Sequence, residues 1–137
     1  EFGKAKLLRP GKDVVLAALG ALMVGEARKA ADGLAAEGID AAVVDVFTLA
    51  PLDRGLILDL ARKTGRIVTC ENHRVTGGLG SAVAELLAEE GVPARLARIG
   101  AGADEFGEVG TQDWLAERFR LTAPHITISA RRLVKGE

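Results

Sequence analysis

Two apolar periods alternate along the chain. Asp13 to Leu19 (Asp-Val-Val-Leu-Ala-Ala-Leu) is a continuous apolar run of strand length, as expected for a strand buried on both faces. From Ala21 to Glu37 the spacing turns helical, with Met23, Ala27, Ala30, Ala31 and Leu34 on one face. Gly38 is the stop signal. Ile39 to Val46 is again strand-like. Asp53 is suited to cap a helix over Arg54 to Lys63 that buries Leu56, Ile57, Leu60 and Ala61. Arg66 to Cys70 reads as a third buried strand, and Glu71 to Gly78 as a loop. Leu79, Ala82, Val83, Leu86 and Leu87 then mark an amphipathic helix, stopped by Gly91 and Pro93. Arg95 to Ile99 is the next strand. After a long loop, Gly100 to Gly110, Thr111 is placed to cap a helix carrying Trp114, Leu115 and Phe119, with Trp114 and Phe119 expected in the core. Thr122 is placed to cap a last helix with Pro124 in its first turn and Ile126, Ala130, Leu133 and Val134 buried. At the front, Lys4 to Arg9 is a short strand. Pro10-Gly11 makes a tight turn, which predicts antiparallel pairing with the strand that follows.

The order is β-β-α-β-α-β-α-β-α-α. Strands that alternate with helices of this length imply parallel pairing through right-handed crossovers. The expected fold is α/β, a three-layer sandwich. Its five-stranded mixed sheet has four parallel strands and one antiparallel edge strand, with helices on both faces. One domain is expected over residues 1–137, with residues 1–3 a cloning remnant or linker.

Composition narrows the function classes. Of the 137 residues, 48% are hydrophobic and 27% charged, and the formal net charge is −1, so nothing electrostatic favours nucleic acid or an anionic membrane as partner. No apolar run approaches the roughly 18 residues a membrane span needs. The lone cysteine, Cys70, rules out an internal disulfide and fits a reducing compartment, so a cytoplasmic location is expected.

In an open α/β sheet, functional loops lie beyond the carboxyl ends of the parallel strands. The richest here is Glu71-Asn72-His73-Arg74-Val75-Thr76-Gly77-Gly78. Two readings stand. Glu71, His73 and Arg74, beside the helix start at Gly77 and Gly78, could form an anion or interface site. Alternatively, Gly77 and Gly78 supply positive φ and close helix–sheet packing, and His73 and Arg74 make domain contacts. Cys70 ends an apolar strand and reads as a small hydrophobe. Gly20 to Gly25, with Asp45 on the next strand, partly imitates a dinucleotide fingerprint but lacks its glycine spacing; Leu22 and Met23 would fill the pyrophosphate space. Asp104, Glu105 and Glu108 read as a solvated acidic loop pinned by Phe106. No catalytic, cofactor-binding or metal-binding residue is assigned within the chain.

Four segments together resemble the C-terminal domain of transketolase-type thiamine-diphosphate enzymes. They are Asp13 to Gly20 with its helix; Val44 to Asp53, which contains Pro51-Leu52-Asp53; Glu71-Asn72-His73 through Gly77-Gly78-Leu79-Gly80; and Phe106-Gly107-Glu108-Val109-Gly110. Val109 departs from a serine often found there, and Asn72 from an acidic residue. The resemblance implies a parent enzyme of the pentose phosphate pathway that moves a two-carbon ketol unit between sugar phosphates. In such enzymes thiamine diphosphate and Mg²⁺ bind between a pyrophosphate-binding and a pyrimidine-binding domain, neither of which is in this chain. This domain would pack on the pyrimidine-binding domain, take part in a homo-oligomer contact and be inactive alone. The alternatives are a regulatory domain for a nucleotide or phosphate, and the equivalent domain of a deoxyxylulose-phosphate synthase or of a 2-oxoacid dehydrogenase β-subunit.

Overall fold

The computed structural model describes residues 1–105 and 107–137. Its elements follow the expected order: β1 Lys6–Arg9, β2 Val14–Leu19, α1 Ala21–Ala36, β3 Ala41–Asp45, α2 Arg54–Thr64, β4 Arg66–Arg74, α3 Leu79–Glu89, β5 Arg95–Ala101, α4 Gln112–Arg118 and α5 Ala123–Lys135. The five strands form one sheet in the order β1-β3-β2-β4-β5. β1 is antiparallel to β3, and the other neighbours are parallel.

Side chains of β2 alternate between two apolar layers, as the period of a strand requires. Val14, Leu16 and Ala18 meet Met23, Ala27 and Ala31 of α1 and Ile126 and Ala130 of α5. Val15 and Ala17 meet Ile57 and Leu60 of α2 and Val83 and Leu86 of α3. Both faces of the sheet are thus covered, which is why its central strands carry no polar alternation. The buried face of α1 is the one its spacing predicts.

The pairing of the first strand corrects an expectation. β1 does not form a hairpin with β2; β3 lies between them. The connection crosses the start of β3 at Gly11, where a Cβ would lie 2.2 Å from the Ala42 amide nitrogen. The crossing is held by Lys12 and Asp13 amides donating to the Asp40 carbonyl, and by the Asp40 amide donating to Asp13 Oδ2. A tight turn followed by a strand therefore leads here to a crossover, with glycine as the only residue thin enough for it.

Three local readings also change. β4 runs on to Arg74, so Glu71 to Arg74 are strand and not loop. Trp114 is about half exposed and lies over Gly110, whose Cβ would meet the indole at 2.5 Å, so it is not core. Phe119 does pack partly against the α1–α5 layer. Thr122 occupies the cap position of α5, but its hydroxyl bonds His125 Nδ1; the Ala123 amide is satisfied by Glu26 Oε2, from α1, at 2.7 Å.

Candidate functional site

The carboxyl ends of β2, β3 and β4 form the candidate region. Glu71 is 1% exposed and points beneath the start of α3. Its Oε2 accepts from the Leu79 amide at 2.7 Å and its Oε1 from the Gly80 amide at 2.9 Å. Nitrogens at a helix start are otherwise without intrahelical partners and favour negative charge. Here two of them are spent on the chain's own carboxylate. The Gly77 amide is also taken, by Ser81 Oγ at 2.9 Å.

The two glycines serve different ends. Gly77 has φ +82 and nothing near the position of a Cβ, so backbone conformation is what it supplies. Gly78 has φ −106, open to any residue, but a Cβ there would fall 1.9 Å from Glu71 Oε2 and 2.9 Å from His73 Nδ1. Its lack of a side chain is what lets the carboxylate reach the helix. Of the two, then, only Gly77 has the positive φ read from the sequence.

His73 and Arg74 end β4 on the exposed side. His73 Nδ1 is 2.8 Å from the Arg74 carbonyl and donates to it; it stays 3.8 Å from Glu71 Oε2, outside hydrogen-bond range. The segment therefore divides into an inward carboxylate with structural bonds and an outward imidazole and guanidinium.

Other candidates resolve similarly. Cys70 is fully buried, and burial together with the neighbouring Glu71 carboxylate pushes its thiol far up, away from the reactive thiolate. Asp53 caps α2 by accepting from the Leu56 amide at 3.2 Å, and it also accepts from the Ala5 amide at 3.0 Å. Burial raises its pKa, but these two bonds outweigh that and hold the carboxyl below its usual range. In the acidic loop, Glu108 pairs with Arg118 at 2.7 Å and Glu105 with Arg120 at 2.9 Å. These ion pairs, made with residues further along the chain, hold the two carboxylates; Phe106, expected to pin the loop, lies outside the described residues. Among the described residues, no group of three or more His, Cys, Asp or Glu side chains could hold a metal ion, and no helix is long and apolar enough to cross a membrane.

Sequence reasoning missed a groove of about 750 Å³ between the ends of β2 and β3. Leu19, Val24, Phe47 and Leu49 give it an apolar lining, and Arg28 and Asp45 border it. Phe47 is 51% exposed there. The dinucleotide-like glycines Gly20 and Gly25 line the same groove, while Met23 is fully buried in the core. The signal available was Phe47 itself, a large apolar residue following a strand with no predicted partner. Beside the groove, the first residues of the chain are fastened to the connection that carries Phe47: the Ala5 amide binds Asp53, and a Cβ on Gly3 would lie 3.1 Å from Pro51.

A family model described as the transketolase C-terminal domain matches residues 3–126. The chain is 49% identical over 136 residues to a 1-deoxy-D-xylulose-5-phosphate synthase of Heliobacterium modesticaldum, covering 99% of this chain and 21% of the relative. It is 50% identical over 134 residues to a 6-deoxy-6-sulfo-D-fructose transketolase subunit of a Clostridium species, covering 98% of this chain and 41% of the relative. A split-gene transketolase, solved as an inactive beta4 tetramer, superposes with a TM-score of 0.90 at 45% identity over 97% of this chain and 43% of that chain. The transketolase of Leishmania mexicana shares the fold, with a TM-score of 0.70 at 20% identity over 98% of this chain and 18% of that one. The chain thus spans between 21% and 41% of the length of these two curated relatives.

Proposed function

Since this chain belongs to the transketolase C-terminal domain family, we propose that it is a non-catalytic, interaction-bearing domain, single over residues 1–137, of a thiamine-diphosphate transketolase-type enzyme. The parent reaction is the movement of a two-carbon ketol unit between sugar phosphates. The near-equal identities to a deoxyxylulose-phosphate synthase, 49%, and to a transketolase subunit, 50%, keep the synthase as the second reading. In either case the cofactor carries the chemistry and the protein positions it. The partners are the pyrimidine-binding and pyrophosphate-binding domains, in a cytoplasmic homo-oligomer.

One observation carries this reading: the carboxylate best placed for chemistry at the strand ends, Glu71, is buried and bonded to two amides of its own fold. What remains outward is contact chemistry, namely His73, Arg74 and the apolar groove with Phe47. In this reading thiamine diphosphate and its Mg²⁺ are held by the other domains of the enzyme, and no residue of this chain is given that role.

The test has two arms. Calorimetric titration of the chain with thiamine diphosphate and Mg²⁺ should give no saturable heat. Arg74→Glu should weaken co-purification with the remaining domains of the enzyme. Saturable cofactor binding by this chain would overturn the non-catalytic reading, and unchanged co-purification would overturn the interface role of Arg74.

A further inference from the structure

A cationic groove lies along the open edge of the sheet, beside the carboxyl-terminal half of β5. β5 is an edge strand, and α5 packs beside it; a cavity of about 370 Å³ lies between them. His125, Ser129 and Arg132 stand at i, i+4 and i+7 on α5 and form one wall. Arg98 and Gly100 of β5, and Arg120 from the turn before α5, complete it. Two guanidiniums, those of Arg120 and Arg132, therefore serve the cavity, and Glu105 offsets the first by pairing with it at 2.9 Å; the Arg98 side chain turns to the other face of the sheet, beside Gly80.

The polar groups are arranged with capacity to spare. Arg98 Nη1 donates to the Val75 carbonyl at 3.1 Å, which anchors it. His125 engages Thr122 through Nδ1 at 2.9 Å, leaving Nε2 available. Among the described residues, no side-chain hydrogen bond or ion pair engages Arg132 or Ser129.

A second observation comes from the backbone. Arg120 has φ 60 and is, among the described residues, the one non-glycine residue with positive φ. It follows α4, with its amide bonding the Glu117 carbonyl and the Leu121 amide bonding that of Ala116. Glycine is the usual residue at such a helix end, because a Cβ there is costly. Here an arginine occupies the position, and its side chain lines the cationic cavity.

We propose that this groove binds the phosphate group of a small phosphorylated molecule, with Arg132 and Ser129 as direct ligands and Arg120 as the second cation. The planar guanidinium matches phosphate through paired charge-assisted bonds, and a serine hydroxyl adds a neutral donor. The groove adjoins the His73–Arg74 end of β4, but the proposal does not depend on the contact role given to that segment.

The probe is inorganic phosphate, titrated into the ¹⁵N-labelled chain, with sodium chloride at matched ionic strength as control. Saturable shifts are expected at the Gly100, Ser129 and Arg132 amides, with no matching response to chloride. Arg132→Gln should weaken phosphate about tenfold, the loss of one charge-assisted contact. Arg120→Gly relieves the backbone while removing a cation. It should hold or raise the melting temperature and still weaken phosphate, a combination that a purely structural arginine would not give. Absence of saturable shifts, or shifts indifferent to both substitutions and so reporting an adventitious ion only, would overturn the proposal.

Discussion

Gly78→Ala places a methyl group against the buried carboxylate of Glu71. The Cβ would lie 1.9 Å from Oε2 and 2.8 Å from the carboxyl carbon, so the carboxylate must leave its position. Doing so breaks the bonds to the Leu79 and Gly80 amides, at 2.7 and 2.9 Å. Hydrogen bonds to a charged group contribute about 1.5–3 kcal/mol each, and stranding a buried charge costs about 3–5 kcal/mol in total. The expected destabilisation is therefore about 3–5 kcal/mol, or a fall in melting temperature of roughly 10–15 °C for a domain of this size. Gly77→Ala is the control. Its neighbour space is open, and only the φ of +82 opposes a side chain, at about 1–2 kcal/mol. Chemical denaturation of both variants separates the two causes. In the Glu71→Ala/Gly78→Ala double variant the methyl group meets vacated space, so the combined cost should fall short of the sum of the singles by more than about 1 kcal/mol. The reasoning fails if Gly78→Ala costs no more than Gly77→Ala, or if the double variant is additive.

Gly11→Ala puts a Cβ 2.2 Å from the backbone of Ala42, where no flexible side chain can yield; a loss of about 3 kcal/mol or more is expected, read by urea unfolding. An unaltered midpoint would refute the close crossing of β3. Glu26→Gln weakens the bond to the Ala123 amide and the pair with Lys29, and should cost about 1 kcal/mol at pH 7. Burial raises the Glu26 pKa, but Lys29 and the Ala123 amide outweigh it and hold the carboxyl below its ordinary value of 4.5. The stabilisation is accordingly present above that pH and lost as pH falls through the lowered value. The variant should thus show a shallower acid-side loss of stability below about pH 4.5 than the parent. Equal slopes would refute the linkage.

The layers of the fold were legible because burial leaves a direct mark on spacing. Leu79, Val83, Leu86 and Leu87 name the inner face of α3 without coordinates, and the apolar runs of β2 and β3 announce strands covered on both sides. What was not legible depended on partners distant in the chain. Glu71 reads as a loop residue because a carboxylate is normally solvated; only the arrival of α3 above β4 supplies the amides that let it stay in a strand. The amide at the start of α5 finds its acceptor in Glu26, 97 residues earlier, so Thr122 looked sufficient. Pro10-Gly11 signals a turn but cannot say which strand the chain returns to. Likewise His125, Ser129 and Arg132 show helical spacing, yet their meeting with Arg120 and the edge of β5 appears in no local window.

The placement of β3 between β1 and β2 constrains how the chain assembles. Two neighbours in sequence have no shared ladder, so nothing local rewards the first segment for becoming extended. Its only mate is made some thirty residues on, after a whole helix has been threaded, and closing that span carries an entropic charge before any bond forms. The amino-terminal strand is consequently expected to dock late, and, as an edge strand with β3 as its one neighbour, to open before the parallel platform does.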